Sequence, residues 1–214
     1  MTEEQSLSVN DNDVPISIPQ TSSIYLICKR CFDIVCSSIA LIILVVPMIV
    51  ISILIKLDSK GPVIFKQERL GKDGKPFYIY KFRSMKLDAE KDGPQWANKN
   101  DDRCTKLGSF LRKVRLDELP QFFNIFIGNM SLVGPRPERA YFYEEFGQYI
   151  PEFKERLQVK PGLTGLAQVN GGYDLLPEEK IVFDLRYIKD QSFKLDLYCI
   201  FKTVTLLFTH EGAR

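Results

Sequence analysis

The chain has 214 residues, 29 lysines and arginines against 27 aspartates and glutamates, and a hydrophobic fraction of 45%. That length suits one domain with its own core. The near balance of charge argues against a nucleic-acid binder, and five cysteines beside a single histidine argue against a disulfide framework or a zinc site.

Residues 1–23 are polar and carry Glu3, Glu4, Asp11 and Asp13 with no lysine or arginine, so they read as a disordered acidic tail. The remainder then holds 29 basic against 23 acidic residues, a mild excess that suits a membrane surface or an anionic substrate. No basic segment of a secretory signal opens the chain and no small-residue cleavage site follows its apolar run, so the N-terminus is expected to be retained.

Residues 34–55 contain no charge, and as a straight helix these 22 residues would extend roughly 33 Å, enough to cross a bilayer core. Pro47 removes one helical hydrogen bond within them and favours a kink. Lys29 and Arg30 precede the run while Lys56, Lys60 and Lys66 follow it, and the positive-inside bias draws both ends to the cytoplasm. A re-entrant helix-break-helix satisfies both ends; a single-pass anchor is the alternative.

Residues 63–70 and 76–82 are β-type runs, and Asp73 with Gly74 between them signals a hairpin. Lys81 and Arg83 stand at the end of the second run, where a solvated strand terminus is the ordinary explanation. Residues 86–102 are charged and turn-rich, include Trp96, and resemble a mobile loop over a site.

The densest chemistry lies in residues 110–137, FLRKVRLDELPQFFNIFIGNMSLVGPRP. Asp117 and Glu118 are expected where a helix starts, with Pro120 in its first turn and Gly128 at its end. Helix capping alone would account for two acids there. Arg112 and Arg115 upstream and Arg136 downstream instead surround them with guanidinium groups beside free helix N–H groups, which suits a phosphate.

Residues 138–146 and 151–157 read as short helices with aromatic faces, and residues 160–172 form a loop with four glycines. Residues 177–190 and 193–208 are amphipathic helices, the second suited to the headgroup plane through Phe201, Leu207 and Phe208. Asp184 on the first is expected to be a solvated acid. Any metal here would be hard, and carboxylates with phosphate oxygens favour Mg2+.

The expected fold is therefore α+β and mainly helical: a membrane helix at 24–58, then a cytoplasmic catalytic domain at 59–214 with a small β-hairpin and amphipathic interfacial helices. Four motifs in order, YKFRSM at 80–85, RKVRLDELPQ at 112–121, GNMSLVGPRP at 128–137 and KPGLTGLAQVNG at 160–171, follow the proline-broken apolar run. This arrangement resembles the monotopic phosphoglycosyl transferases, the bacterial sugar transferase family, over roughly residues 24–208.

The resemblance implies transfer of a sugar-1-phosphate from a UDP-sugar to polyprenyl (undecaprenyl) phosphate, with UMP released. This is the first membrane step of surface glycan biosynthesis. It implies Asp117 as nucleophile of a covalent phosphosugar intermediate, Glu118 as a holder of Mg2+, and Arg112, Arg136, Lys81, Arg83 and Gln168 as phosphate-binding groups; Asp184 also matches an acid of the family. It also implies the cytoplasmic face of the bacterial inner membrane and a re-entrant helix broken at Pro47, and it allows a homodimer. One departure is Val46 before Pro47, where many relatives have serine. A non-catalytic nucleotide-sugar-binding scaffold and a Mg2+-dependent membrane phosphohydrolase or nucleotidyltransferase remain as other readings.

Overall fold

The computed structural model describes residues 21–91, 93, 101–172 and 175–209. Apart from its last three residues the expected acidic tail lies outside them, as do Trp96 of the expected loop and the side chain of Phe208. The described chain is mainly helical, with one long apolar helix and two small two-stranded sheets.

Helix α1, Ser23–Asp58, contains Pro47 and is the one helix among the described residues long and apolar enough to cross a membrane. Across residues 34–50 only Ser37 is buried, while Ile42, Ile43, Val46 and Ile49 are exposed. So large an uncovered apolar surface is unfavourable in water and suits lipid. Where the sequence suggests a break the chain stays helical, because loss of a single N–H at proline permits a bend without ending the helix.

Strands β1 (Ile64–Leu70) and β2 (Pro76–Phe82) form the expected antiparallel hairpin, with Ile64 opposite Phe82 and Leu70 opposite Pro76. Its loop places Asp73 and Gly74 in the left-handed region, φ 59° and 70°, as an Asp-Gly turn prefers. Alternation puts Phe77, Ile79 and Lys81 on one face of β2. Phe77 and Ile79 bury against Ile125 and Met130, so Lys81 follows them inward.

Helices α2 (Lys106–Lys113) and α3 (Gln121–Ile127) bracket the acidic pair. Thr105 caps α2 by accepting from the Gly108 amide at 2.9 Å. Gly108 lies so close to the hairpin exit that a Cβ there would sit 1.8 Å from the Ser84 carbonyl oxygen. Helix α3 docks on the edge of β2 through Asn124, whose amide donates to Tyr78 O at 2.7 Å and accepts from Tyr80 N at 3.0 Å. A side-chain amide thus completes the ladder that a third strand would otherwise supply.

Strand β3 (Ser131–Val133) and strand β4 (Gly162–Thr164) pair in parallel and bring the GPRP and KPGLTG motifs together. The approach is close enough that a Cβ on Gly162 would lie 2.1 Å from the Gly134 nitrogen. Helix α4 (Ala140–Phe146) and the 3-10 helix Pro151–Gln158 pack Phe142, Tyr143, Phe146 and Phe153 into an aromatic core with Ile181; Tyr141 and Tyr149 stay exposed. Helices α5 (Leu166–Val169), α6 (Pro177–Lys189) and α7 (Phe193–Thr209) complete the fold. On α7, Cys199 is buried against Tyr187 and Ile188, whereas Tyr198, Phe201, Val204 and Leu207 face outward.

Both ends of α1 dock on this body. At the first end Arg30 donates to the Ile125 and Phe126 carbonyls at 2.7 and 2.8 Å, complementing the C-terminal dipole of α3. Asp33 accepts from the Leu132 amide at 2.9 Å, and Asp196 of α7 gathers Tyr25, Lys29 and Tyr187, each at 2.8 Å. At the other end Ile51 and Ile55 bury against Phe82 and Leu111, with Leu116 and Leu119 beside them.

Candidate active site

Asp117 and Glu118 occupy a separate 3-10 turn, Leu116–Glu118, rather than the first turn of α3. Pro120 is the N-cap residue of α3, and neither carboxylate makes a side-chain cap there, so helix capping does not explain the pair. Arg115 turns the chain out of α2 with φ 58°, a left-handed conformation for a non-glycine residue. Such backbone costs of order 1–3 kcal/mol and is held by the packing on either side, here Gly108 against Ser84 and Asn124 against β2.

The two acids have different surroundings. Glu118 Oε1 accepts from Lys81 at 2.9 Å and from Arg136. Burial opposes its ionisation, but the Arg136 guanidinium and the Lys81 ammonium hold its carboxyl well below the usual range. Asp117 is buried too, yet it has no hydrogen bond or ion pair among the described residues. Burial and the neighbouring Glu118 charge push its carboxyl up to about 6, against the pull of Lys81, Arg112 and Arg136.

Asp117 opens on a cavity of about 690 Å³, within the range of small-molecule sites. Its wall also includes Lys81, Arg112, Arg115, Arg136 and Gln168, and cations outnumber carboxylates around it. A polyanion is the ligand such a wall favours. Arg112 reaches it from the last turn of α2, its guanidinium 3.3 Å from Cys104 Sγ.

Arg83 also lines the cavity, but its guanidinium is buried against the end of α1, donating to Ser59 O at 2.7 Å, Ser59 Oγ at 2.8 Å and Lys60 O at 3.0 Å. These contacts make it a clamp on the chain where it leaves α1, at the C-cap Ser59 and at Lys60. Gln168 stands on α5 with neither amide atom hydrogen-bonded. Pro47 lies in the apolar span, away from the cavity wall.

The structure corrects the expectation for Asp184. It is 1% exposed and bound to Arg156 Nε at 2.8 Å, because the helix face that carries it turns inward onto the Pro151–Gln158 helix. Arg156 also donates to the Arg136 carbonyl at 2.8 Å and so fixes the loop that presents Arg136 to Glu118. Arg69 of β1 grips the same loop through Glu138 at 2.9 Å and Pro137 O at 3.2 Å. Sequence reading missed Arg156 and Arg69, since a lone arginine on a short helix or a strand carries no signal of what it will pair with.

Among the described residues no group of three or more His, Cys, Asp or Glu side chains is assembled for a metal. The pair still fits a hard cation that draws its other ligands from substrate and water: Lys81 and Arg136 share Glu118 Oε1, and Oε2 has no hydrogen-bond partner among the described residues.

A family model described as bacterial sugar transferase matches residues 24–210. The chain is 44% identical over 209 residues to the UDP-N-acetylgalactosamine-undecaprenyl-phosphate N-acetylgalactosaminephosphotransferase of Aeromonas hydrophila, covering 96% of this chain and 49% of that one. It is 46% identical over 205 residues to the UDP-glucose:undecaprenyl-phosphate glucose-1-phosphate transferase of Klebsiella pneumoniae, 94% of this chain and 44% of that one. With the exopolysaccharide production protein PSS of Rhizobium leguminosarum bv. phaseoli the identity is 42% over 191 residues, 84% and 94% of the two chains. The chain thus spans about half the length of the first two relatives and nearly all of the third. Since the match takes in every described element from the long apolar helix to α7, the chain belongs to the bacterial sugar transferase family.

Proposed function

We propose that the protein transfers a sugar-1-phosphate from a UDP-sugar to undecaprenyl phosphate at the cytoplasmic face of the bacterial inner membrane, as a membrane step in surface glycan biosynthesis. The observation that carries this reading is the unpartnered Asp117 carboxylate on a cation-lined cavity beside a Glu118 already bound by two cations. The names of the Aeromonas hydrophila and Klebsiella pneumoniae relatives, which specify undecaprenyl-phosphate acceptors, support the acceptor class.

In this reading an Asp117 carboxylate oxygen attacks the phosphorus that bears the sugar. The new O–P bond forms as the bond to the bridging oxygen breaks, and UMP departs with that oxygen and its electron pair. An oxygen of the lipid phosphate then attacks the same phosphorus, which frees Asp117 and leaves a sugar diphospholipid. An ionised carboxylate needs no general base for the attack. Arg112, Arg136 and Lys81 supply the fixed positive charge that lets it approach a diphosphate. Mg2+, held by Glu118 and the donor's phosphates, would add further charge neutralisation.

The membrane reading is a re-entrant α1 that enters and leaves by one face. Its support is that Arg30 and Asp33 near one end and Ile51 and Ile55 near the other bind the same body, while the stretch between is uncovered.

The test is UMP release from UDP-sugars in the presence of Mg2+ and polyprenyl phosphate, together with intact-protein mass spectrometry before lipid is added. Wild type should turn over and gain the mass of a sugar phosphate, and Asp117→Asn should do neither while remaining membrane-bound. A preparation that makes product with no adduct under trapping conditions would overturn the covalent step and favour a metal-activated oxygen nucleophile.

A further inference from the structure

We propose that Gln168 and Asp184 form the subsite that reads the sugar of the donor, a specificity device rather than part of the phosphate cradle. The inference rests on the reading of the cavity given above.

Both residues line the cavity that holds Asp117. Gln168 is 9% exposed, and among the described residues neither Nε2 nor Oε1 has a hydrogen-bond partner; Asp184 Oδ1 is buried and unpartnered among them as well. Orphaned buried polar atoms are uncommon in folded proteins, and three on one cavity wall imply a ligand that completes them. The amide of Gln168 is uncharged and offers one donor group and one acceptor, and Asp184 Oδ1 can only accept when ionised. A phosphate wants donors and positive charge, so Asp184 would repel it. Hydroxyl and acylamino groups both give and take hydrogen bonds, and the sugar of a UDP-sugar is the part of that ligand that carries them.

The surroundings hold the pair ready. A Cβ on Gly165 would lie 2.6 Å from Gln168 Oε1, so glycine at that position leaves the amide its room. Arg156 joins the subsite to the phosphate-binding side: its Nε holds Asp184 Oδ2 while its Nη2 holds the Arg136 carbonyl, both at 2.8 Å. The separation between sugar contact and phosphate contact is thereby set by one buried guanidinium. Gln168, which the family resemblance suggests as a phosphate ligand, is better matched to the sugar.

The experiment uses the full chain in detergent with Mg2+ and compares calorimetric binding of UDP-sugar and of UDP, which lacks the sugar. Gln168→Met keeps the side-chain length and deletes both orphan atoms. It should weaken UDP-sugar binding roughly tenfold or more, leave UDP binding unchanged, and leave the melting temperature equal to or above that of wild type, since no buried group loses a partner. Equal weakening of both ligands, or of neither, would overturn the sugar assignment. Gln168→Glu, close in size, supplies a second measurement: it should reorder the preference between a UDP-hexose and a UDP-N-acetylhexosamine, and an unchanged order counts against the subsite. Wild-type protein that bound no UDP-sugar would sink the reading of the whole site, whereas tight wild-type binding matched by Gln168→Met would sink only this inference.

Discussion

Asp117 and Glu118 are neighbours with nearly the same chemistry, and their partners alone separate the roles proposed for them. Glu118 is ionised and neutralised by Lys81 and Arg136, so it can organise positive charge without reacting. Asp117 is raised to about 6 by burial and by the Glu118 charge, so at neutral pH it is ionised at a cost to stability. The sign follows from linkage: a carboxylate whose folded value exceeds its ordinary 3.8 destabilises the fold progressively as pH rises from near 3.8 through about 6. Asp117→Asn removes that penalty, so in thermal melts at pH 7.5 it should be more stable than wild type by up to about 3 kcal/mol, and the gain should vanish near pH 4. A variant no more stable than wild type at pH 7.5 would mean that Asp117 has a compensating partner. Under the proposed mechanism, single-turnover formation of the adduct should likewise fall as pH drops below about 6, where Asp117 takes up a proton. The two acids and their arginines are legible in the sequence because they cluster within 25 residues, from 112 to 136. The burial of Asp184 was not, because its partner Arg156 is 28 residues away and burial of a helix face depends on what packs on it.

At the scale of elements, the short segments are held by side chains that imitate backbone. Asn124 pairs with the Tyr78 carbonyl and the Tyr80 amide and so ties α3, and with it the Leu116–Glu118 turn, to the strand that delivers Lys81. Asn124→Ala leaves two backbone groups without partners in a residue environment that is 0% exposed. The expected loss is about 2–4 kcal/mol of stability, with a rise in hydrogen exchange at the Tyr80 amide that exceeds the change in the rest of β2. Uniform exchange across β2 would show that the helix is held by its apolar contacts instead. The hairpin was readable from alternation and an Asp-Gly turn, and α6 and α7 from their apolar spacing. The β3–β4 pair was not, since each strand has three residues and their pairing spans the whole of α4 and the Pro151–Gln158 helix. Arg83 looked like a free cation at a strand end for a related reason: the carbonyls it clamps are those of Ser59 and Lys60, just past the end of α1, which the sequence does not bring to it.

For the whole molecule, the question is how one helix can be both a membrane element and a part of the domain. From Arg30 to Ile55 a straight helix would extend roughly 37 Å, a bilayer's width. Yet Arg30 holds the end of α3 at Ile125 and Phe126, and Ile55 lies in a cluster that includes Leu116 and Leu119, just ahead of the same short helix. A spanning α1 would place those two attachments on opposite sides of the membrane, where a single folded body cannot meet both. In the re-entrant reading proposed above, a bend at Pro47 would let both attachments form from one face while the uncovered apolar stretch dips into lipid. The basic residues at both ends fit the shared cytoplasmic side of that proposed reading. Ile24 and Lys60 flank the buried contacts and are themselves exposed, so they are suitable reporters. In a chain whose five native cysteines have been replaced, Ile24→Cys and Lys60→Cys should both react with a membrane-impermeant thiol reagent in inverted vesicles and both stay silent in right-side-out ones. Reaction of the two from opposite faces would establish a spanning helix, and would require that one of the two docking sites seen here be released in the membrane.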